Sequence, residues 1–169
     1  MSYVIYCTKK LLERIKPPTI AAAGAVGTML LGNWYATALF WKPQVALLVN
    51  EKTLLSVLMP LAPATDLATR FPEHLAGVLA AHGMPQQFTD HELAQMHEVQ
   101  YAKTSNRSVV GIMNQFTYLA EGFREYLETS DLRELALKLA HVPCSPLYRS
   151  ETFPDRELKL LVGSKNFAV

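Results

Sequence analysis

In the stretch KTSNRSVVGIMNQF, residues 103–116, bases, hydroxyls and amides surround one apolar helical repeat. Ser105 or Asn106 is predicted to begin a helix, where free backbone N–H groups and the helix dipole favour an anion. A phosphate or carboxylate would then be held by Lys103, Ser105, Asn106, Arg107 and Ser108, with the guanidinium of Arg107 as a forked donor. The alternative is an ordinary capped helix start whose basic side chains are solvated.

A second basic helix start follows the first predicted strand. In the stretch CTKKLL, Thr8 is placed to begin a helix, and Lys9 and Lys10 fall in its first turn. Lysines there oppose the helix dipole at a small cost in stability unless an anion offsets it. Solvated lysines are the alternative. If both helix starts face the same edge of the sheet, Lys103 and Arg107 join these lysines in one basic patch.

The residue types of common enzyme chemistries occur without the spacing that those chemistries need. His91 and His97 lie on different faces of a helix, unlike a zinc-binding pair. No GxSxG, HExxH, paired-carboxylate or glycine-rich dinucleotide motif occurs. Cys7 ends a predicted strand, where a cysteine is usually a small buried hydrophobe. We therefore expect no metal and no cofactor, and the sequence assigns no catalytic residue.

The composition is that of one folded domain without a global charge bias. The chain has 169 residues, 50% of them apolar and 18% charged, so residues 1–169 can bury a single core. Sixteen basic and fifteen acidic residues give a formal charge of +1, so binding to nucleic acid would need a local patch. No leader peptide is evident, and we expect Cys7 and Cys144 to be reduced thiols of a cytoplasmic protein.

The first third of the chain is predicted to supply the strands. SYVIYC, NWYATALFW, QVALLVN and TLLSVLM are rich in β-branched, aromatic or other apolar residues, and KKLLERI between the first two predicts a short helix. QVALLV is apolar on both faces, which predicts an internal strand covered on both sides. Alternation places Trp34 and Phe40 on one face and Tyr35 and Trp41 on the other. Base stacking is one use of such aromatics, and we favour the other, core packing.

From Pro60 onward the apolar spacing becomes helical. Four helices are predicted. The first is capped by Thr65 or Asp66 and ends at His82–Gly83, and the second opens with a Thr89–Glu92 capping box. The third begins at Ser105 or Asn106 and carries an apolar stripe from Val109 to Phe123, and the fourth runs from Ser130–Asp131 to Pro143. Residues 143–157 are predicted to be irregular, and ELKLLVG to be a closing strand or a helical turn. The predicted fold class is α+β: a small, mainly antiparallel sheet of about four strands, mostly N-terminal, packed against four or five helices, mostly C-terminal.

The segment from Ile20 to Trp41 has two interpretations. It is long enough to span a bilayer, yet Asn33 interrupts it, and alanine and glycine are only weakly hydrophobic. We divide it at the turn pair Gly32–Asn33, which makes residues 17–32 a connector and places a strand after them. We expect no membrane partner, and a membrane helix is the alternative.

Three blocks of sequence resemble a family of small uncharacterised bacterial proteins of unknown function. The blocks are YCTKKLL, GNWYATALFW followed by ALLVNEKTLL, and KTSNRSVVGIMNQF, and the resemblance covers roughly residues 3–127. Thr37 stands where the family tends to carry Asn. The resemblance implies a bacterial protein, and it brings no activity with it.

Three classes of function fit these observations. The first is a small cytoplasmic binding module for an anionic ligand, either a nucleic acid backbone or a phosphorylated small molecule. The second is an enzyme that acts on a phosphate-bearing substrate at the same basic site, with a base supplied by Glu51, Glu92 or a histidine. The third is a protein-interaction component of a two-protein system, such as a toxin–antitoxin pair, in which the basic residues are incidental.

Overall fold

The computed structural model describes residues 2–22, 27–165 and 167. The predicted α+β class is confirmed, with strands mostly in the N-terminal half and helices mostly in the C-terminal half. The strands of the described residues are β1 (Ser2–Cys7), β2 (Trp34–Leu39), β3 (Val45–Asn50), β4 (Ser56–Pro60) and β5 (Glu98–Lys103). The α-helices of the same residues are α1 (Lys9–Ile15), α2 (Leu67–Ala81), α3 (Gln86–Ala94), α4 (Arg107–Tyr126), α5 (Leu132–Leu139) and α6 (Pro154–Ser164).

The strands form one mixed sheet in the order β4-β3-β2-β1-β5. β1 is parallel to both of its neighbours, whereas β3 is antiparallel to both of its own. Four strands therefore point the same way, and only β3 is reversed. We call the end of the sheet where β1, β2, β4 and β5 finish the carboxyl edge, and the end where they begin the amino edge. The fifth strand, β5, was not predicted from the sequence.

Helices cover both faces of the sheet. On the face that we call the α1 face, apolar residues of α1, α2, α3 and α6 pack on Trp34 and on the other buried strand residues of that face. On the opposite α4 face, α4 and α5 pack on Tyr35, Leu47 and Trp41. Every residue of β3 is buried, which confirms the prediction of an internal strand with cover on each side. Core packing of Trp34, Tyr35 and Trp41 is likewise confirmed, whereas Phe40 is 57% exposed.

The helix predicted to open at Thr89 begins earlier, at Gln86. The capping-box prediction is wrong, because Thr89 and Glu92 lie inside α3 and are buried. Phe88, in the first turn of α3, is fully buried in the core of the α1 face, and its packing favours a helix that begins ahead of Thr89. The start of α4 after Asn106 and the start of α5 after Asp131 are as predicted, and both residues cap their helices through side-chain oxygens.

The C-terminal segment is more regular than predicted. Residues 143–157 were expected to be irregular, but a short 3-10 turn spans Ser145–Leu147 and α6 begins at Pro154. Proline suits the first turn of a helix, because the N–H that it lacks would have no intrahelical acceptor there. ELKLLVG is part of α6 and is thus helical, the second of the two predicted alternatives.

The predicted connector, residues 17–32, contains no helix or strand in its described parts, 17–22 and 27–32, while residues 23–26 lie outside the described residues. Its first part runs along the outer side of β5, where the N–H of Ala21 donates to the carbonyl of Tyr101 at 2.7 Å. This contact covers an edge strand that would otherwise present unpaired backbone groups. Among the described residues, no helix has the length and apolar content needed to cross a membrane.

Candidate functional site

The two basic helix starts lie at the same edge of the sheet. β1 and β5 are parallel neighbours over their full lengths, and the last residue of β1, Cys7, pairs with the last residue of β5, Lys103. Each strand then leads within a few residues into a helix, from Thr8 into α1 and from Asn106 into α4. The sequence left open whether the starts share an edge, and the register places both at the carboxyl edge.

The two helices leave that edge towards opposite faces. Leu11 of α1 is buried in the core of the α1 face, whereas Val109 of α4 is buried in the core of the α4 face. Adjacent parallel strands whose following helices turn to opposite sides leave a crevice beyond the strand ends. In open α/β sheets such a switch point is where ligands bind. We call this region, bounded by Thr8–Lys10 and Lys103–Ser108, the switch crevice.

Asn106 forms the cap that the sequence predicts, and the cap uses some of the free amides. Its side-chain oxygen accepts from the N–H of Ser108 at 2.9 Å and from the N–H of Val109 at 3.3 Å. An anion at this helix start would therefore meet the side chains of Lys103 and Arg107 rather than those two amides. Asn106 acts here by holding the helix start in place.

Hydroxyl groups on β2 fix the floor of the switch crevice, and sequence reasoning did not identify them as part of the site. The hydroxyl of Tyr35 accepts from the N–H of Asn106 at 3.0 Å and lies 3.3 Å from the hydroxyl of Ser105. The hydroxyls of Thr8 and Thr37 are 2.9 Å apart. The available signal was the alternation that places Tyr35 and Thr37 on one face of β2. Their hydroxyls tie β2 to both helix starts.

The basic side chains of the switch crevice are exposed, and the structure gives them no carboxylate partner among the described residues. Lys9, Lys103 and Arg107 are exposed, as is Ser108 beside them. Within the described residues the ion pairs are Arg70–Asp66 and His141–Asp155, so none of these cations has a carboxylate partner there. Lys10 differs, because its ammonium lies 5.4 Å from the centre of the exposed ring of Phe40. The cations thus remain free to meet a negative group.

An open groove of about 420 Å³ adjoins the switch crevice on the β5 side. Ile20 and Ala21 of the connector form one wall, and residues 102–105 form the other. Lys103 and Ser105 therefore face both the crevice region and a mainly apolar depression. A ligand bound by these two residues would have room beside its charged group.

Polar residues at the amino edge are arranged in the opposite way, as a closed network. The side chain of Asn50 is fully buried. Its oxygen accepts from the N–H and hydroxyl of Thr53 at 2.9 and 3.0 Å, and its nitrogen donates to the carbonyl of Leu31 at 2.8 Å. Glu51 accepts from the N–H of Asn33 at 2.9 Å. These contacts tie the β3–β4 turn to the end of the connector.

Glu92 belongs to the same edge. Its carboxylate oxygen Oε1 accepts from the N–H of Leu31 at 2.9 Å, and its other oxygen, Oε2, is buried without a hydrogen-bond partner among the described residues. Burial raises the pKa of this carboxyl to about 7, although the amides of Leu31 and Leu30 and the charge of Lys52 lower it. The sequence offers Glu51 and Glu92 as candidate catalytic bases for the basic site. Both lie at the amino edge, with the length of the sheet between them and the switch crevice.

Burial also shifts the pKa values of cysteine and histidine side chains elsewhere in the structure. Burial raises the pKa of the Cys7 thiol to about 12 and that of Cys144 to about 11, so neither is a ready nucleophile. His141 lies 3.5 Å from Asp155 at the start of α6. Burial lowers the pKa of His82 beside them, although the charge of Asp155 raises it. Across the described residues, no three His, Cys, Asp or Glu side chains form a metal-binding group.

Comparisons with known proteins give one match. A family model described as a domain of unknown function (DUF6933) matches residues 4–157. No curated protein matches the chain, and no solved structure matches it. The match includes all three sequence blocks on which the resemblance to an uncharacterised family rested, and that expectation is confirmed.

Proposed function

The chain belongs to the DUF6933 family, and we propose that it is a binding module for an anionic ligand, either a nucleic acid backbone or a phosphorylated small molecule. The ligand binds in the switch crevice. The observation that carries this proposal is the parallel pairing of Cys7 with Lys103, which brings two basic helix starts to one edge of the sheet. The packing of α1 and α4 on opposite faces leaves that edge open between them.

Each side chain has a distinct part in the proposed site. Arg107 is the forked donor that contacts two oxygens of one phosphate, and Lys103 adds a second positive charge. The hydroxyls of Ser105 and Ser108 donate to the remaining oxygens. The backbone N–H of Arg107, at the first position of α4, adds the positive end of the helix dipole.

The α1 side of the crevice supplies further positive charge. Lys9 is exposed beside Thr8 and contributes to the electrostatic attraction. Lys10 lies over the ring of Phe40 and can leave it at a cost of about 0.5–1 kcal/mol for an exposed cation–π contact. Phe40 would then be free to stack on a base or sugar ring.

Replacement of Arg107 by Gln tests this site. We expect the affinity for pyrophosphate and for a short single-stranded oligonucleotide, measured by calorimetry at fixed salt, to fall at least about tenfold, because a charge-assisted hydrogen bond is lost. Arg149→Gln is the matched control, since Arg149 is also exposed and the change in net charge is the same. It should leave both affinities unchanged.

The two probes also separate the two ligand types. A backbone-binding site should prefer the oligonucleotide and lose affinity steeply with salt, whereas a site for a phosphorylated small molecule should prefer pyrophosphate. Equal affinities in Arg107→Gln, Arg149→Gln and the parent chain for both probes would contradict the proposed site.

An enzyme at this site is less well supported. The carboxylates suggested as a base, Glu51 and Glu92, contact the connector at the amino edge. Neither of these two carboxylates is therefore placed to act as the base of a reaction in the switch crevice. Binding without turnover is the simpler proposal.

One observation favours a protein partner as a second candidate function. Tyr118 and Tyr126 on α4 are 77% and 86% exposed, and they flank an open groove with Gly122 between them. Exposed aromatic side chains are enriched at protein interfaces. Light scattering of the parent chain and of a Tyr118→Ser, Tyr126→Ser variant tests whether this surface mediates self-association. A monomer in both cases would leave no support for a second copy as the partner.

We also propose that the protein is cytoplasmic and bacterial. Cys7 and Cys144 are buried free thiols, which suit a reducing compartment. The bacterial origin follows from the sequence resemblance alone. Mass spectrometry of the fractionated native host would test the location, and recovery in a secreted or membrane fraction would contradict it.

A further inference from the structure

A separate pocket of about 260 Å³ lies at the carboxyl edge on the α4 face. It is bounded by the β2–β3 turn, the last turns of α4 and the start of α5. The lining residues are Trp41, Lys42, Pro43, Gln44, Val45, Pro60, Arg124, Ser130 and Leu132. None of these residues belongs to the switch crevice, so the pocket is a second feature of the same edge.

The indole of Trp41 is held rigidly beside this pocket. Trp41 is 7% exposed, and the guanidinium of Arg124 lies 4.1 Å from the centre of its ring. The indole N–H donates to Glu121 Oε1 at 3.3 Å. A guanidinium that stacks on a ring uses only its flat face in the cation–π contact, so its in-plane N–H groups remain available to donate to a ligand.

The charges that line the pocket are unbalanced. Arg124 and Lys42 both line it, and its lining includes no Asp or Glu. Neither cation forms an ion pair with any residue that the structure describes. Glu121, on the same helix as Arg124, accepts the indole N–H of Trp41. The pocket therefore combines mainly apolar walls with positive charge that no described carboxylate pairs with.

We propose that this pocket binds a small carboxylic acid with an apolar or aromatic body. Arg124 would grip the carboxylate through two parallel N–H donors, and Lys42 would add charge from the turn. The apolar body would pack between Val45 and Leu132. Pockets for drug-sized ligands usually have about 300–1,000 Å³, so a pocket of this volume suits an acid with one ring or a short chain.

This inference does not depend on the proposed function of the switch crevice. The two sites use different cations, Arg124 and Lys42 in one and Lys103 and Arg107 in the other. Loss of one site should leave the other intact.

Benzoate is a suitable probe, and the neutral benzyl alcohol is its control. In ¹H–¹⁵N spectra the chain has two tryptophan indole signals, from Trp34 and Trp41, and Trp41→Phe assigns them. Benzoate should shift the Trp41 indole signal saturably and leave the signal of the fully buried Trp34 unchanged. Benzyl alcohol should bind at least about tenfold more weakly, because it lacks the charge that Arg124 would contact.

Variants then assign the binding to the two cations. We expect Arg124→Gln to weaken benzoate binding about tenfold and Lys42→Gln to weaken it severalfold, with Arg149→Gln and Arg107→Gln unchanged. If Arg124→Gln does not fold, the exposed Lys42 still tests the charge requirement. The inference is overturned if benzoate causes no saturable shift of the Trp41 signal, if benzyl alcohol binds as tightly as benzoate, or if Lys42→Gln and Arg124→Gln bind like the parent chain.

Discussion

At the amino edge the side chain of Asn50 is fully buried, and its polar atoms contact Leu31, Lys52 and Thr53, whereas at the carboxyl edge Arg107 is exposed and unpaired with any described residue. Both residues belong to the sequence blocks that resemble the family. At the amino edge the polar side chains are thus buried in a hydrogen-bonded network, whereas at the carboxyl edge the cations are exposed to solvent.

This difference in burial indicates that the amino edge serves folding and the carboxyl edge serves binding. A buried polar group costs stability unless its hydrogen bonds are made, so the network around Asn50 must form whenever the β3–β4 turn and the connector meet. An exposed cation contributes little to stability, because water already solvates it. Residues of the amino edge should therefore govern the free energy of unfolding, and those of the carboxyl edge should govern affinity for a ligand.

The largest expected effect is on stability at the amino edge. Asn50→Ala should lower the free energy of unfolding by about 3–4 kcal/mol, because it leaves the buried carbonyl of Leu31 and the N–H of Thr53 without partners. Urea unfolding measures the change. Asn114→Ala, at an exposed position on α4, is the control and should change it by less than about 0.5 kcal/mol. A loss below about 1 kcal/mol in Asn50→Ala would break the comparison.

The second prediction concerns the pH dependence that Glu92 gives to stability. Its pKa in the folded chain, about 7, is above the ordinary value of 4.5, so the folded state binds the proton more tightly than the unfolded state. The stabilisation is fully present below pH 4.5 and is lost as the pH rises to about 7. The stabilisation that is lost over this pH range amounts to about 3 kcal/mol. Glu92→Gln should remove this fall, as measured by urea unfolding between pH 4.5 and 8. Parallel pH profiles of both proteins would contradict the assignment.

A smaller effect on stability is expected at Tyr35, whose hydroxyl holds the start of α4 at the carboxyl edge. Tyr35→Phe removes the hydroxyl that accepts from the N–H of Asn106 and contacts Ser105. We expect a loss of about 1 kcal/mol in stability and faster hydrogen exchange at the amide of Asn106. Tyr118→Phe, which removes an exposed hydroxyl on α4, is the matched control. Unchanged exchange at Asn106 would show that this contact does not hold the start of α4.

The smallest effect is expected for a single lysine of the open edge. Lys9→Gln should leave the free energy of unfolding within about 0.5 kcal/mol of the parent value. Its affinity for pyrophosphate should fall about twofold to threefold at low salt, and the difference should vanish at high salt because the charge acts at a distance. A large loss of stability in Lys9→Gln would mean that the carboxyl edge is not the open one.

Local sequence signals were sufficient for most of the elements. The cap at Asn106, the amphipathic stripe of α4 and the two-sided apolar run of β3 are properties of consecutive residues, and each was confirmed. β5 was missed because half of its sequence EVQYAK is polar, as is common for an edge strand with one exposed side. Its partner β1 is distant in sequence, because Ser2 pairs with Glu98 and Cys7 with Lys103.

The composition of the basic patch could be read from the sequence, but its geometry could not. Lys9 and Arg107 meet at one edge only because β1 and β5 pair in parallel, and that pairing is non-local. The misreading of Glu92 has a similar cause. A Thr followed three residues later by Glu is compatible with a helix start, yet the partner of this carboxylate is the distant N–H of Leu31.

The most direct test of the account is a titration of the ¹⁵N-labelled chain with pyrophosphate, followed by the shifts of its backbone amides. The amides of residues 8–10 and 103–108 should shift together and saturate with one affinity, while those of residues 31–33 and 50–54 at the amino edge should not move. Shifts centred on the amino edge, or no saturable shift in either group, would contradict the assignment of binding to the carboxyl edge.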